Sequence, residues 1–262
     1  MQTLIDLSRY PLDQPDTSAW RTLVADCQAR LARDGLFNLP GFLLVDAVTT
    51  AVDEVRPLLA NDAFIHARRH NIYFSPSVDG LPPDHPALTE FETSNRTVCA
   101  DQIHGSALVR LYEWPPFARF LAAVMNRPAL YTMADPLARV NVMAYQEGQS
   151  LNWHFDRSEF TTTLLLQAPL AGGEFQYAKD LRSEENPNYD GVADLIHGRR
   201  KPAILSLEPG TLNIFKGRNT AHRVTPVSDD KDRIIAVFSF FDQPGVQFSA
   251  EERIGFYGRA GM

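Results

Sequence analysis

Seven short runs follow Pro136: ARVNVMAY, FTTTLLLQ, GGEFQYA, AILSL, GTLNIF, HRVTPV and DRIIAVFSFF. All are rich in β-branched and aromatic residues and are separated by Gly, Pro and Asn, a texture that restricts this half of the chain to a β-sandwich or barrel. One short helical stretch, Tyr189 to Gly198, interrupts them.

The first half reads differently. Trp20, Leu23, Val24, Cys27 and Leu31 recur at helical spacing between Thr17 and Arg33, with Gly35 placed to cap the C-terminus. LFNLPGFLL (36–44) is a short strand turning at Pro40-Gly41, Asp46 opens a second helix to about Leu59, and a third spans Pro116 to Met125. From Asn61 to Gly105 the prolines Pro76, Pro82, Pro83 and Pro86 break any long element, leaving loops and short turns that form either a substrate lid or a plain connection. The plan is α+β: a mainly helical N-terminal layer over residues 1–135 and a β-rich core over 136–262, in one domain.

A net charge of -7 and a pI near 5.5 would repel nucleic acid and anionic membrane, so neither is expected as a partner. Cys27 and Cys99 are too few for a disulfide framework and read as buried small hydrophobes in a reducing compartment. No basic-then-apolar leader opens the chain and no long apolar run occurs, so the expected location is cytoplasmic.

The chemistry concentrates in NWHFD, where His154 and Asp156 stand two positions apart. Residues so spaced on extended chain project to one face, so an imidazole and a carboxylate can converge on one ion. His222, in TAHRV at the start of a later strand, can supply a third ligand. Two histidines and a carboxylate on one face of a metal leave three positions open and suit non-haem Fe(II), although zinc accepts the same donors. Arg233, opening the strand DRIIAVFSFF, discriminates. Its guanidinium can form a two-pronged pair with the far carboxylate of a dicarboxylic acid whose keto-acid end chelates iron, a partner that a zinc hydrolase does not need.

The order HxD, GGEF, GTLNIF, AHRVTPV and Arg, over roughly Ala138 to Phe241, resembles the Fe(II)/2-oxoglutarate dioxygenases of the prolyl-hydroxylase-like group. This resemblance implies a double-stranded β-helix, a cupin-like jelly roll, with His154, Asp156 and His222 on the metal and Arg233 on 2-oxoglutarate. Many relatives place Ser two residues after the arginine; here Ile235 stands there, and Thr163 or Tyr145 is the candidate second partner of the carboxylate. NWHFDRSEFTTTLLLQAPLAGGEFQY, NPNYDGV, GTLNIFKGRNTAHRVTPV and ERIGFYGR further resemble the branch of free-amino-acid radical halogenases and their sister hydroxylases, of which the lysine-acting members are best known. In those halogenases Gly replaces the carboxylate and leaves room for chloride. Asp156 aligns this chain with the hydroxylases.

The implied reaction is hydroxylation of an unactivated C–H bond in a free amino acid, lysine or a close analogue, with Fe(II), 2-oxoglutarate and O2 consumed to succinate and CO2. Action on a peptide or protein side chain or on another small metabolite is the alternative; a catalytically silent jelly-roll binding protein is a third. For the substrate, Asn141 and Tyr145 share a strand face, Trp153 and Arg157 flank the ligand motif, and Arg68, Arg69, Asp135 and Glu159 are candidates for its charged ends. His66, His70, His85, His104 and His197 read as solvated or capping residues, with His104 in ADQIHGS alternatively able to approach the pocket, and Gly172-Gly173 as a hairpin turn without chemical duty. A lone strand histidine is more often structural than ligating. The ordered set of His154, Asp156, His222 and Arg233 carries the reading.

Overall fold

Helix α1 (Ser18–Asp34) starts where Thr17 Oγ1 accepts from the Trp20 N–H at 3.2 Å and stops where Gly35 turns left-handed at φ 75°. The computed structural model describes residues 1–261. After α1 come β1 (Leu36–Leu39), α2 (Val45–Asn61), β2 (Phe64–His70), β3 (Phe91–Cys99), α3 (Ala107–Tyr112) and α4 (Pro115–Val124). The strand-rich part follows: β4 (Tyr131–Thr132), β5 (Val140–Tyr145), β6 (Leu151–His154), β7 (Thr161–Gln167) and β8 (Phe175–Ala178). Then come α5 (Tyr189–Ile196), β9 (Ala203–Leu205), β10 (Leu212–Phe215), β11 (Ala221–Val224), β12 (Arg233–Phe238), β13 (Phe240–Phe241) and α6 (Ala250–Tyr257).

The strands form a seven-stranded sheet, β1-β10-β7-β12-β5-β3-β2, and a four-stranded one, β6-β11-β8-β9, with β13 paired to β4. Every named pairing is antiparallel. The fold is therefore α+β with an N-terminal helical region and an antiparallel sheet core, broadly like a double-stranded β-helix; among the described residues the sheets do not join into a closed barrel. No helix among the described residues is long and apolar enough to cross a membrane.

The large sheet has two unlike faces because side chains alternate along each strand. On β12, Ile234, Ala236 and Phe238 belong to the main core with Val140, Val142 and Ala144 of β5 and with Leu108, Phe117 and Phe120 from α3 and α4. Burying each of the larger side chains contributes about 1.5–3 kcal/mol. The alternate residues Arg233, Ile235 and Val237, with Met143 and Tyr145 of β5, line a cavity on the opposite face.

Two strands, β2 and β3, run through the segment expected to be loops. The prolines fall between them, and β3 buries Thr93, Asn95 and Thr97, polar residues that hide the alternation by which a strand with an apolar face is recognised. Gly172-Gly173 is not a hairpin either: β7 and β8 lie in different sheets, and the Gly173 N–H donates to the Pro226 carbonyl at 3.0 Å.

Asp135, expected at the substrate, is a structural carboxylate. It is 0% exposed and accepts from the N–H groups of Leu137, Ala138 and Phe248 and from Arg253 Nε at 2.7 Å, tying α6 to the start of β5. Burial alone would raise its pKa, but these donors hold it below the ordinary carboxylate value. Its contribution to stability is therefore complete above about pH 4, the value for an unfolded Asp, and is lost as pH falls through the depressed folded value. Asp135→Ala leaves the Arg253 guanidinium unpaired beside three orphaned N–H groups, so urea unfolding should show a loss of about 3 kcal/mol or more; a loss under 1 kcal/mol would contradict this role.

Candidate active site

Strands β6 and β11 pair antiparallel with His154 directly opposite His222, and the imidazole centroids lie 4.1 Å apart. Each ring is locked by its own backbone: Nδ1 of His154 is 2.8 Å from the Asn152 carbonyl and Nδ1 of His222 is 2.9 Å from that of Thr220. A carbonyl can only accept, so Nδ1 carries the proton and both Nε2 lone pairs face inward. Phe175 and Phe215 pack on the His222 ring and Phe74 on that of His154.

β6 ends at His154, and Asp156 lies just beyond it, held by its N–H to the Gly217 carbonyl at 3.1 Å and by the Thr161 hydroxyl, which donates to Oδ2. Its oxygens approach Nε2 of His154 at 3.5 Å and of His222 at 3.4 Å. The three donor atoms lie within 4.8 Å of one another, close enough to hold one metal ion. Burial opposes ionisation of Asp156, yet His222 and His154 outweigh it and keep the carboxyl well below its ordinary range. Burial in turn depresses the His154 imidazole, whereas the Asp156 carboxylate lifts that of His222 despite burial.

Gly217 makes this geometry possible. A Cβ there would collide with the Asp156 carboxylate, so only glycine lets the group lie flat on the 217 backbone.

Arg233 enters the same cavity from the first position of β12 and is 3% exposed. Its Nε donates to the Gly173 carbonyl at 3.0 Å, a positioning duty that the glycine pair was not expected to have. Its Nη1 is buried without a partner among the described residues, and burial holds the guanidinium below its ordinary pKa. Tyr145 is its direct cross-strand neighbour, Thr163 stands on β7 at the other side of β12, and Asn213 lies opposite Thr163 on β10, one strand further, all lining the cavity. Ile235 shares the cavity face with Arg233 and presents an apolar surface where a hydroxyl was the alternative.

The other candidates divide sharply. Arg68, named with Arg69, lines the cavity, whereas Arg69 lies on the outer face of β2, 68% exposed, 3.4 Å from Glu90. Glu159 pairs with Arg127 outside the cavity. Trp153 is buried among Ile72, Phe155 and Ala178, with Arg223 over its ring at 4.7 Å. Asn141 has the right strand face, but its side chain is capped by the Tyr257 hydroxyl at 2.9 Å and donates to the Leu137 carbonyl, so Tyr257 lines the cavity in its place. His66 and His70 are not solvated: His66 lines the cavity, and His70 is buried between Asn71 and Thr93. His104 is exposed and away from it.

Wall residues missed in the sequence are Asn95 and Thr97 on β3, Tyr73 and Phe74 after β2, Arg182, Asn213 and Tyr257. The sequence carried little signal for them. The clearest is in the last of these: Ser249 with Glu252 forms a capping box that starts the helix carrying Tyr257.

A family model for Halogenase D matches residues 20–251. The chain belongs to the Halogenase D family. No curated protein is matched by its sequence. Among solved structures, the non-haem α-ketoglutarate-dependent epimerase SnoN from nogalamycin biosynthesis superposes with a TM-score of 0.57 at 18% identity, over 85% of this chain and 83% of that one. The carbocyclase SnoK from the same biosynthesis gives 0.56 at 14%, over 89% and 92%. A Pseudomonas putida prolyl-4-hydroxylase gives 0.52 at 15%, over 82% and 98%. At such identities the likeness is one of fold. Within it, this member of the Halogenase D family carries a carboxylate at position 156.

The residues present fit Fe(II), 2-oxoglutarate and O2: a His/Asp/His set of inward-facing donors, and beyond it a buried guanidinium with an unused N–H. Gly217→Ala should push the Asp156 carboxylate off its seat and weaken Fe(II) binding at least tenfold by calorimetry while circular dichroism stays native; unchanged affinity would show that the close packing is irrelevant.

Proposed function

We propose that this chain is an Fe(II)/2-oxoglutarate-dependent hydroxylase of a small metabolite enclosed beside His154, Asp156 and His222. The observation that carries the reading is Asp156, a carboxylate built into the metal-facing position by Gly217 and Thr161 in a family described by halogenation. A protein carboxylate on the metal leaves no vacancy there for a halide, which favours hydroxyl transfer. The core these residues occupy is taken as a jelly roll of two sheets within one domain.

In this reading Nε2 of His154 and of His222 and one Asp156 oxygen hold iron, and Arg233 receives the distal carboxylate of 2-oxoglutarate, with Thr163, Tyr145 or Asn213 as its second partner. The bound pair supplies the oxidising chemistry for an unactivated C–H bond and releases succinate and CO2. The chain's own contribution is positional. Asn152 and Thr220 fix the imidazole tautomers, Gly173 aims Arg233, and the aromatic wall of Phe74, Phe175 and Phe215 excludes water around the donors. A cavity of about 800 Å3 accommodates a small co-substrate together with a small substrate. A free amino acid is the substrate class that the sequence resemblance indicates.

Anaerobic reconstitution with Fe(II) and 2-oxoglutarate, followed by O2 and a panel of small metabolites, tests this reading. It predicts substrate-dependent succinate and a product one oxygen heavier; succinate formed only with a peptide would overturn it. Asp156→Gly should abolish hydroxylation, and full retention would remove Asp156 from the metal. Arg233→Gln forfeits a charge-assisted pair worth about 1.5–3 kcal/mol, so KM for 2-oxoglutarate should rise roughly 10- to 100-fold; an unchanged KM would place the co-substrate elsewhere.

A further inference from the structure

The cavity is charged oppositely to the chain around it. The protein carries a net charge of -7, yet Arg68, Arg157, Arg182, Arg218 and Arg233 line the cavity against Asp156, the only carboxylate among its described lining residues. Asp156 is engaged with the two imidazoles, and Arg233 lies at the end assigned to 2-oxoglutarate. At the rim Glu252 compensates Arg157 at 2.6 Å, and Glu184 lies 3.7 Å from Arg218.

Arg68 and Arg182 have no carboxylate partner among the described residues. Arg182 donates from Nε and Nη2 to the Arg218 carbonyl and covers the Phe155 ring at 3.8 Å. Arg68 is stacked on Phe74 at 4.3 Å, and its Nε is buried without a partner. Two residues back along the same face of β2, Nδ1 of His66 is also buried and unpartnered. Burial, then Arg68 and His70, push the His66 imidazole down to about 4, so it stays neutral at physiological pH and can donate one N–H. A guanidinium and an imidazole with unused buried nitrogens, side by side on one strand and next to the aromatic wall of the metal site, are matched by an oxyanion. They would be aggravated by a cation.

We propose that the substrate bears more anionic than cationic groups, that its carboxylate or phosphate docks on Arg68 beside His66, and that side-chain ammonium compounds such as lysine are excluded. This rests on the oxygenase reading above and assigns the substrate class of that site. Lysine would bring two ammonium groups and one carboxylate into a field already positive, and among the described residues no carboxylate other than Asp156 lines the cavity to receive its side chain.

The test uses the full chain loaded anaerobically with Fe(II) and 2-oxoglutarate, its visible absorption recorded before any further ligand. L-Aspartate, L-glutamate and O-phosphoserine form the acidic arm; L-lysine, L-ornithine and L-arginine form the basic arm. Binding is read by calorimetry and by the shift in that absorption, and then by ligand-dependent succinate release. At least one acidic compound should bind tenfold more tightly than every basic one and stimulate succinate, with the carboxylate and phosphate members telling the two anions apart. Arg68→Gln should weaken that binding more than tenfold and Arg68→Lys should restore part of it, while Arg69→Gln, on the outer face, leaves it unchanged. Tighter binding of a basic amino acid, no binding by any acidic one, or indifference to Arg68→Gln would overturn the charge assignment with the oxygenase reading intact. Failure of the loaded complex to form would overturn both, and shows before any ligand is added.

Discussion

The antiparallel register of β6 against β11 sets His154 opposite His222, and the rest of the site is arranged around that pair. A shift of one residue along either strand would turn one imidazole to the other face of the sheet and disperse the donors. The pair is held from both sides. β11 is also hydrogen-bonded to β8, and the ring nitrogens pointing away from the centre are fixed by carbonyls of the same strands or the residues leading into them. Asp156 is then seated from a third direction by the Gly217 backbone, so the donor set is assembled before any ligand arrives.

Opposite this small sheet, the seven-stranded sheet separates two environments by alternation alone. One face is a continuous apolar core shared with the helices. The other face puts a guanidinium, a phenol, hydroxyls and amides around the cavity, several with hydrogen-bonding capacity that the protein itself leaves unused. Such unused capacity is costly in a buried place and is relieved by a ligand carrying the complementary groups. Arg233 Nη1, Arg68 Nε and His66 Nδ1 are of this kind, which is why the cavity's preferences can be read from its own residues.

Much of the site was legible in the sequence because its elements are local. His154 and Asp156 are two apart, Arg233 opens a strand, and GTLNIF and AHRV carry strong β texture. The boundaries of α1 were legible for the same reason, with Thr17 and Gly35 acting as local stop signals. The substrate wall was not, because its strands bury polar residues. β3 hides Thr93, Asn95 and Thr97, and a strand whose inner face serves a cavity lacks the apolar alternation by which strands are recognised. Asp135 and Glu159 were misplaced for another reason: whether a carboxylate meets a ligand or an arginine of its own chain is a tertiary fact, decided here by Arg253 and Arg127. Arg68 and Arg69 differ only in the parity of β2.

In the proposed reading one iron binds at the meeting point of His154, Asp156 and His222, with the co-substrate reaching to Arg233. A crystal structure of the protein grown anaerobically with Fe(II) and 2-oxoglutarate, with the iron located by its anomalous scattering, decides this arrangement. A single strong peak bonded to Nε2 of both histidines and one oxygen of Asp156 is expected, with a carboxylate paired with Arg233. A peak elsewhere, or iron at the triad with Arg233 facing no carboxylate, would contradict it.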